Sequence, residues 1–267
     1  MNTLLTGLLD DLAAEGDQLR DTVERLGPDG WTTATPAAGW TVATQVAHLL
    51  WTDEVAVLAA HSHRGVQDKQ AWDDLVLAAI EDPSGYVDRA AFEVADRPRD
   101  ELLTRWSASR TDLREALTEL PAGHRMPWFG PPMSAASMAT ARFMETWAHA
   151  LDVYDAAGER PAPTDRIRHV AHLGVRTRDF AFSVHGEEPP AGEFRVELTA
   201  PSGELWTWGP EDAAQRVGGP AYDFCLLVTQ RVHRDDTELV AEGVDAEHWL
   251  TIAQAFAGPS GTGRSSS

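Results

Sequence analysis

Apolar side chains recur every three or four residues through most of the first 158 positions of this 267-residue chain. This interval matches the turn of an α-helix and collects the apolar side chains on one face. The first such stretch runs from Leu4 to Leu26, where Gly27-Pro28 ends it. Helices of this kind bury their apolar faces against one another, so the sequence predicts a bundle of long antiparallel helices over residues 1–160.

Capping and helix-breaking residues divide the rest of this region into further helices. Thr41 is a candidate N-cap, because its hydroxyl can accept a hydrogen bond from a backbone N–H of the first turn. Prolines and glycines mark the other boundaries. The predicted helical segments begin after Thr41, at Gln67 with an interruption at Asp82–Gly85, after Pro98, and after the loop 127–132, and the last one ends at Gly158.

A different pattern begins after Pro163. Alternating apolar and polar residues predict two strands joined by a turn at 201–203. The predicted elements are a helix at about 164–184, strands at 194–199 and 204–208, a helix at 221–232, a strand at 238–241 and a helix at 245–256. The fold class is therefore α plus α+β, with a helix bundle at 1–160, a small α+β domain at 161–257 and a Gly/Ser-rich, disordered tail at 258–267.

Charge and cysteine content narrow the classes of partner and the compartment. The formal net charge of -20 and the pI near 4.7 disfavour nucleic acid and anionic membrane surfaces, which would be repelled. The single cysteine, Cys225, has apolar neighbours and is predicted to be a buried thiol. Neither a signal peptide nor an apolar run of about 18 residues is visible. We therefore expect a cytoplasmic protein, whose oligomeric state the sequence leaves open.

One predicted helix sets a carboxylate and an imidazole four residues apart, at Glu145 and His149. Residues at this spacing lie about 40° apart around a helix and one turn along it, so both side chains can reach one point. A third group, His48, is available if its helix faces theirs. Two histidines and one carboxylate hold Zn²⁺ or Fe²⁺ while leaving coordination positions open, which favours chemistry over a structural role.

Simpler interpretations of the same residues stay open. Glu145 and His149 also fit a surface pair, and the polar stripe that they form with Arg142 and Asp152 also fits a solvated helix face. His48 alone fits a core histidine. Weaker candidates are His61 and His63, which we expect to be solvated, His169 and His172 as a second metal pair, and Trp206 and Trp208 as core residues or a ligand platform.

Two segments resemble the N-terminal domain of mycothiol-dependent maleylpyruvate isomerases, which belong to the DinB-like metal-binding bundles. The segments are Gly39–Leu49 and Arg142–Asp152. The resemblance implies a four-helix bundle in which His48, Glu145 and His149 bind a divalent metal, usually zinc, with water completing the shell.

The resemblance extends to the second half, where the isomerases carry a small α+β, sterol-carrier-like domain. Here Gly218–Arg231 and Ala246–Phe256 resemble an uncharacterised actinobacterial branch of this architecture. The isomerases' usual Gly-Arg dipeptide appears as Gln230-Arg231. Arg231 is thereby a candidate substrate-binding residue.

An open metal site predicts activation of a small thiol, because a bound Zn²⁺ stabilises the thiolate. With mycothiol as cosubstrate, the thiolate would add to a cis double bond and be eliminated after rotation, as in an isomerase, or would stay attached, as in an S-transferase. No protein nucleophile is needed. Arg142 is a candidate to hold a substrate carboxylate or to steady Glu145, with an i,i+3 salt bridge as the alternative. Asp152 is a candidate to accept the other N–H of His149, or is solvent-facing.

A second hypothesis of a different class is a metal-binding protein without catalytic activity that carries a small apolar ligand in its second domain. A regulatory protein of the anti-sigma type fits less well, because zinc switches of that kind rely on several cysteines and this chain has one.

Overall fold

A computed structural model describes residues 3–83, 85–258, 260–261 and 263–266. The chain divides into two compact units, and the division falls between Arg160 and Pro161. In the described ranges, no helix is both long and apolar enough to cross a membrane. The predicted disorder of 258–267 stays a prediction, because residues 259, 262 and 267 lie outside the described residues.

Four long helices form the bundle of the first unit, which confirms the predicted fold class. They are α1 (Thr3–Arg25), α3 (Val42–His61), α6 (Arg99–Glu119) and α7 (Ala135–Ala157). Three shorter helices accompany them in the described part of this unit, namely α2 (Pro28–Trp31), α4 (Val66–Glu81) and α5 (Tyr86–Ala95).

Helix α3 lies at the centre of this unit and packs against α5, α6 and α7. Its apolar side chains are buried on nearly all sides, with Leu49 and Leu50 fully inaccessible. A helix that is apolar all round is stable only when neighbours cover it. Any polar side chain on α3 is consequently held inside the bundle, and His48 is one of these.

The predicted helix boundaries agree with the structure where a cap marks them. Thr41 caps α3, with its side chain accepting a hydrogen bond of 3.3 Å from the Thr44 backbone N–H. Gly158 follows α7 in the left-handed conformation, with φ of 68°. A break separates α4 from α5 at the predicted place, although Ser84 within it lies outside the described residues. The short helix Pro28–Trp31 was not predicted.

The second unit contains a four-stranded sheet in the order β2-β1-β3-β4. Its strands are β1 (Arg195–Thr199), β2 (Leu205–Trp208), β3 (Arg216–Pro220) and β4 (Val240–Glu242), and its helices are α8 (Arg168–Arg176), α9 (Arg178–Val184), α10 (Ala221–Val228) and α11 (Val244–Ile252). The β1–β2 hairpin is antiparallel as predicted, while β1 and β3 pair in parallel. The buried Trp206, Phe224 and Trp249 belong to the core of this unit.

Three features of the second unit differ from the prediction. Strand β3 was missed, because Gly218-Gly219-Pro220 has a composition that is depleted in strands. The helix predicted at 164–184 is divided at Thr177 into α8 and α9. Helices α10 and α11 each end four residues before the predicted ends, α10 at Val228 instead of Val232 and α11 at Ile252 instead of Phe256.

The turn after β2 generates a prediction about stability. Gly209 has φ of 74°, and a Cβ added there would lie 2.0 Å from the Phe194 carbonyl oxygen. Gly203 has φ of 89° with open space around it. Both alanine variants carry the left-handed cost of about 1–2 kcal/mol, but only Gly209→Ala forces backbone apart. We expect its midpoint of thermal unfolding to fall several degrees below that of Gly203→Ala. Equal midpoints would contradict this packing.

Candidate metal centre

Three side chains from two facing helices converge inside the bundle. Glu145 Oε2 on α7 lies 3.5 Å from His48 Nε2 on α3 and 3.1 Å from His149 Nε2 on α7. One ligand atom from each residue lies within 4.8 Å of the other two. Among the residues that the structure describes, no other group of three such side chains meets this criterion. The three predicted ligands are therefore together, and their binding of an ion stays a prediction.

The electrostatics of this cluster favour a cation. Burial alone would raise the pKa of Glu145, but hydrogen bonds and charges from His149 and His48 hold that pKa well below its ordinary value. The carboxylate is thus ionised. The Glu145 side chain keeps 26% of its surface exposed, whereas the His48 side chain keeps 9%. Solvent therefore reaches the cluster from the Glu145 side.

The outer nitrogen of His149 contacts a residue that the sequence analysis missed. His149 Nδ1 lies 2.5 Å from Gln45 Oε1, and Gln45 Nε2 donates to Thr35 Oγ1 at 2.9 Å. An imidazole nitrogen that faces a carbonyl oxygen carries the proton, so in the neutral ring Nε2, which lies 3.1 Å from Glu145 Oε2, is the nitrogen left to bind an ion. This tautomer fits a metal ligand. Gln45 precedes His48 by three residues, a spacing that places both on one helix face and could have identified it.

An aromatic side chain covers both imidazoles. Trp40 stacks on His149, with ring centroids 5.8 Å apart and planes 16° apart, and its centroid lies 5.3 Å from that of His48. The Phe92 ring lies 6.3 Å from Trp40. His48 Nδ1 is buried and has no hydrogen-bond partner among the described residues. The two histidines consequently share an apolar wall but differ in how firmly their rings are held.

Arg142 lies below the cluster in a buried ion pair. It is 2% exposed, its Nε donates to Asp53 Oδ1 at 2.9 Å, and its Nη2 donates to the Leu49 carbonyl at 3.4 Å. Burial raises the pKa of Asp53, and the Arg142 charge opposes that rise. Arg142 thus pairs across to α3, not with Glu145 three residues away. A role toward a substrate carboxylate stays a prediction.

The two remaining predicted site residues are Asp152, on α7, and Arg231, in the second unit. Asp152 is buried at 1% exposed, and the described acceptor at His149 Nδ1 is Gln45. Arg231 follows α10 in the second unit and donates to the Thr229 carbonyl at 2.6 Å. The roles proposed for Asp152 and Arg231 are not tested by these contacts.

Three of the weaker candidates, His63, His172 and Trp206, have contacts or burial that the structure describes. The His63 and His124 rings lie 4.7 Å apart. His172 Nδ1 accepts a hydrogen bond of 3.2 Å from Trp208 Nε1, and burial lowers the pKa of this histidine. Trp206 is a core residue.

Fold and cluster together define a helical bundle with a candidate divalent-metal group between two facing helices. The family model described as the mycothiol maleylpyruvate isomerase N-terminal domain matches residues 12–154, more than half of the chain. The chain belongs to this family. A second family model, described as wyosine base formation, matches residues 190–242.

Relatives and solved structures extend the likeness beyond the first unit. Uncharacterised proteins of Mycobacterium tuberculosis, from strains CDC 1551 / Oshkosh and ATCC 25618 / H37Rv, are each 56% identical to the chain, covering 95% of it and 96% of the relative. A crystal structure of the mycothiol-dependent maleylpyruvate isomerase has a TM-score of 0.59 at 15% identity and covers 91% of this chain and 98% of that one. A histidine-to-alanine mutant of it has a TM-score of 0.56 at 15% identity, covering 85% and 91%. At 15% identity, the likeness shows that this chain has the same fold as these two crystal structures.

The buried Arg142–Asp53 pair generates a prediction for folding stability. Arg142→Met leaves Asp53 buried without its partner, and we expect a loss of about 3–5 kcal/mol in the free energy of unfolding. The double variant Arg142→Met with Asp53→Leu removes both charges and should recover most of that loss. Urea unfolding followed by tryptophan fluorescence measures both.

The exposed pair of Arg64 and Glu119, 2.6 Å apart, provides the matched control. Arg64→Met should cost about 1 kcal/mol or less. A double variant as unstable as Arg142→Met alone would show that packing, and not charge, dominates at this position.

Proposed function

We propose that the chain is a metal-dependent enzyme that activates a small thiol, mycothiol, for addition to an electrophilic small molecule. The observation that carries this proposal is the convergence of His48, Glu145 and His149 on one point with the Glu145 carboxylate partly exposed. Two histidines and a carboxylate leave coordination positions open for a guest. Membership of the mycothiol maleylpyruvate isomerase family supports mycothiol as the thiol.

The side chains of the site have distinct tasks in this proposal. His48, Glu145 and His149 would hold a divalent ion, with Zn²⁺ favoured by the nitrogen and oxygen donors. When bound, such an ion supplies electrophilic stabilisation of a thiolate, which lowers the pKa of the thiol. The Glu145 charge attracts the ion. Trp40 supplies an apolar wall that keeps water from part of the site.

The thiolate would act as the nucleophile in place of a protein side chain. Cys225 is fully buried in the second unit, where burial raises the pKa of its thiol well above the ordinary value. It is therefore unsuited to attack a substrate. Addition of the thiol to an activated cis double bond, rotation about the resulting single bond and elimination would give an isomerase. Displacement of a leaving group without elimination would give an S-transferase.

Metal stoichiometry is the first test. We expect native mass spectrometry of the full chain to show one Zn²⁺ per molecule, and His149→Ala to lose it, because a ligand is removed. His172→Ala, which lies outside the cluster, should retain full occupancy. Wild-type protein that stays metal-free at micromolar Zn²⁺ would reject the proposal.

Thiol-dependent turnover is the second test. Zinc-loaded protein should convert maleylpyruvate to its trans isomer only when mycothiol is present, and His149→Ala should reduce the rate to background. Chromatography of the products distinguishes isomerisation from S-conjugation of other electrophiles. Zinc binding without thiol binding or turnover of any thiol electrophile would favour the alternative of a non-catalytic carrier.

A further inference from the structure

We propose that Gln45, oriented by Thr35, is a positioning residue that selects the metal-binding tautomer of His149. This inference rests on the proposed function, because it concerns the same metal site. Gln45 is 0% exposed, so water does not compete for its amide. Its Oε1 lies 2.5 Å from His149 Nδ1, on the side of the ring that faces away from Glu145.

The orientation of the Gln45 amide is determined by Thr35. The Thr35 hydroxyl donates to the Trp40 carbonyl at 3.1 Å, so its oxygen is left as an acceptor. Gln45 Nε2 donates to that oxygen at 2.9 Å. A flipped amide would place two acceptors together at Thr35, which burial makes costly. The amide oxygen is therefore directed at the imidazole.

A backbone turn holds Thr35 in place. The Thr35 backbone N–H donates to the Trp40 carbonyl at 2.8 Å, and the Val42 N–H donates to the Thr33 carbonyl at 3.1 Å. The same turn carries Trp40, whose ring stacks on His149. The segment 33–42 thus acts on His149 in two ways: Thr35 orients the Gln45 amide at the ring edge, and Trp40 stacks on the ring face.

The consequence for His149 follows from hydrogen-bonding chemistry. An amide oxygen only accepts, so Nδ1 keeps its proton, and Nε2, 3.1 Å from Glu145 Oε2, is the nitrogen whose lone pair would bind an ion in place of its own proton. His48 Nδ1 has no comparable partner among the described residues. The geometry therefore makes His149 the ligand that is oriented from its outer nitrogen, whereas the outer nitrogen of His48 has no such contact among the described residues. An amide also adds less electron density to the ring than a carboxylate would.

Zinc affinity tests this role directly. We expect Gln45→Met, which keeps the length of the side chain but removes the acceptor, to weaken Zn²⁺ binding by about 10–100-fold. Gln45→Glu keeps an acceptor at His149, although it loses the N–H that Thr35 accepts, and should bind Zn²⁺ more tightly than Gln45→Met. Titration of the full chain against a competing chelator gives both values. Gln70→Met changes an exposed glutamine that contacts Asp74 and should leave the affinity unchanged.

The Thr35 pair provides a second test that does not alter Gln45. Thr35→Val removes the hydroxyl at similar volume and should weaken Zn²⁺ binding, whereas Thr35→Ser keeps the hydroxyl and should restore it. The visible absorption bands of the Co²⁺-loaded protein report the ligand geometry. They should shift in Gln45→Met and Thr35→Val and stay unchanged in Thr35→Ser. A purely structural role would lower the midpoint of unfolding without moving these bands.

The outcomes separate this inference from the proposed function. Wild-type protein that does not bind Zn²⁺ overturns both. Wild-type binding with Gln45→Met within twofold of it, and with unchanged Co²⁺ bands, overturns the positioning role alone. Gln45→Glu binding Zn²⁺ more weakly than Gln45→Met would also overturn it, because the acceptor would then bring no benefit.

Discussion

Three polar contacts between α3 and α7 constrain the rest of the first unit. Gln45 contacts His149, His48 contacts Glu145, and Asp53 contacts Arg142. We call these six residues the polar seam. As the position on α3 rises from 45 to 53, its partner on α7 falls from 149 to 142, which is the register of two antiparallel helices. A shift of either helix by one turn would leave several buried polar groups without partners, each at a cost of about 1–3 kcal/mol.

The surroundings of the polar seam explain why it needs this precision. Helix α3 is apolar on nearly all sides and is covered by α5, α6 and α7. An apolar interface alone tolerates sliding, because dispersion and burial are not directional. The seam adds direction to that interface. Buried ion pairs contribute little net stability compared with apolar packing, so the value of Asp53 and Arg142 lies in fixing the register that brings His48 to Glu145.

Much of this arrangement could be predicted from the sequence, and the reasons for the rest are physical. The spacing of Glu145 and His149 is a local property of one helix, so the sequence alone predicted that their side chains lie close together. That His48 meets them depends on packing between distant segments, which only the family resemblance suggested. The pairing of Arg142 with Asp53 was missed for the same reason. Periodicity shows that two helices have buried faces but not which polar residues lie opposite one another.

The early end of α10 is a second feature that could not be predicted, because the sequence lacks the residue that usually marks such a helix end. The Arg231 N–H donates to the Leu226 carbonyl at 2.8 Å and the Gln230 N–H to the Leu227 carbonyl at 2.9 Å, the two bonds of a Schellman motif. The left-handed position of that motif usually carries glycine, and here Gln230 occupies it with φ of 58°. The resemblance implies glycine before the arginine in the isomerases. Gln230 therefore adopts the left-handed turn before Arg231 without the glycine that would have indicated the end of the helix in the sequence.

The candidate metal centre lies at the longest contact of the polar seam. Gln45 and His149 approach to 2.5 Å and Arg142 and Asp53 to 2.9 Å, but His48 and Glu145 stay 3.5 Å apart. The two outer contacts are hydrogen bonds of ordinary or short length, whereas the middle one is at the long limit for a hydrogen bond. Burial of a polar group costs free energy unless a hydrogen-bond partner or an ion satisfies that group. A cation binding there would satisfy both residues at once, and its binding free energy would add to the stability of the folded bundle. The contacts that fix the helix register thus leave one position, between His48 and Glu145, where a bound cation would stabilise the folded bundle.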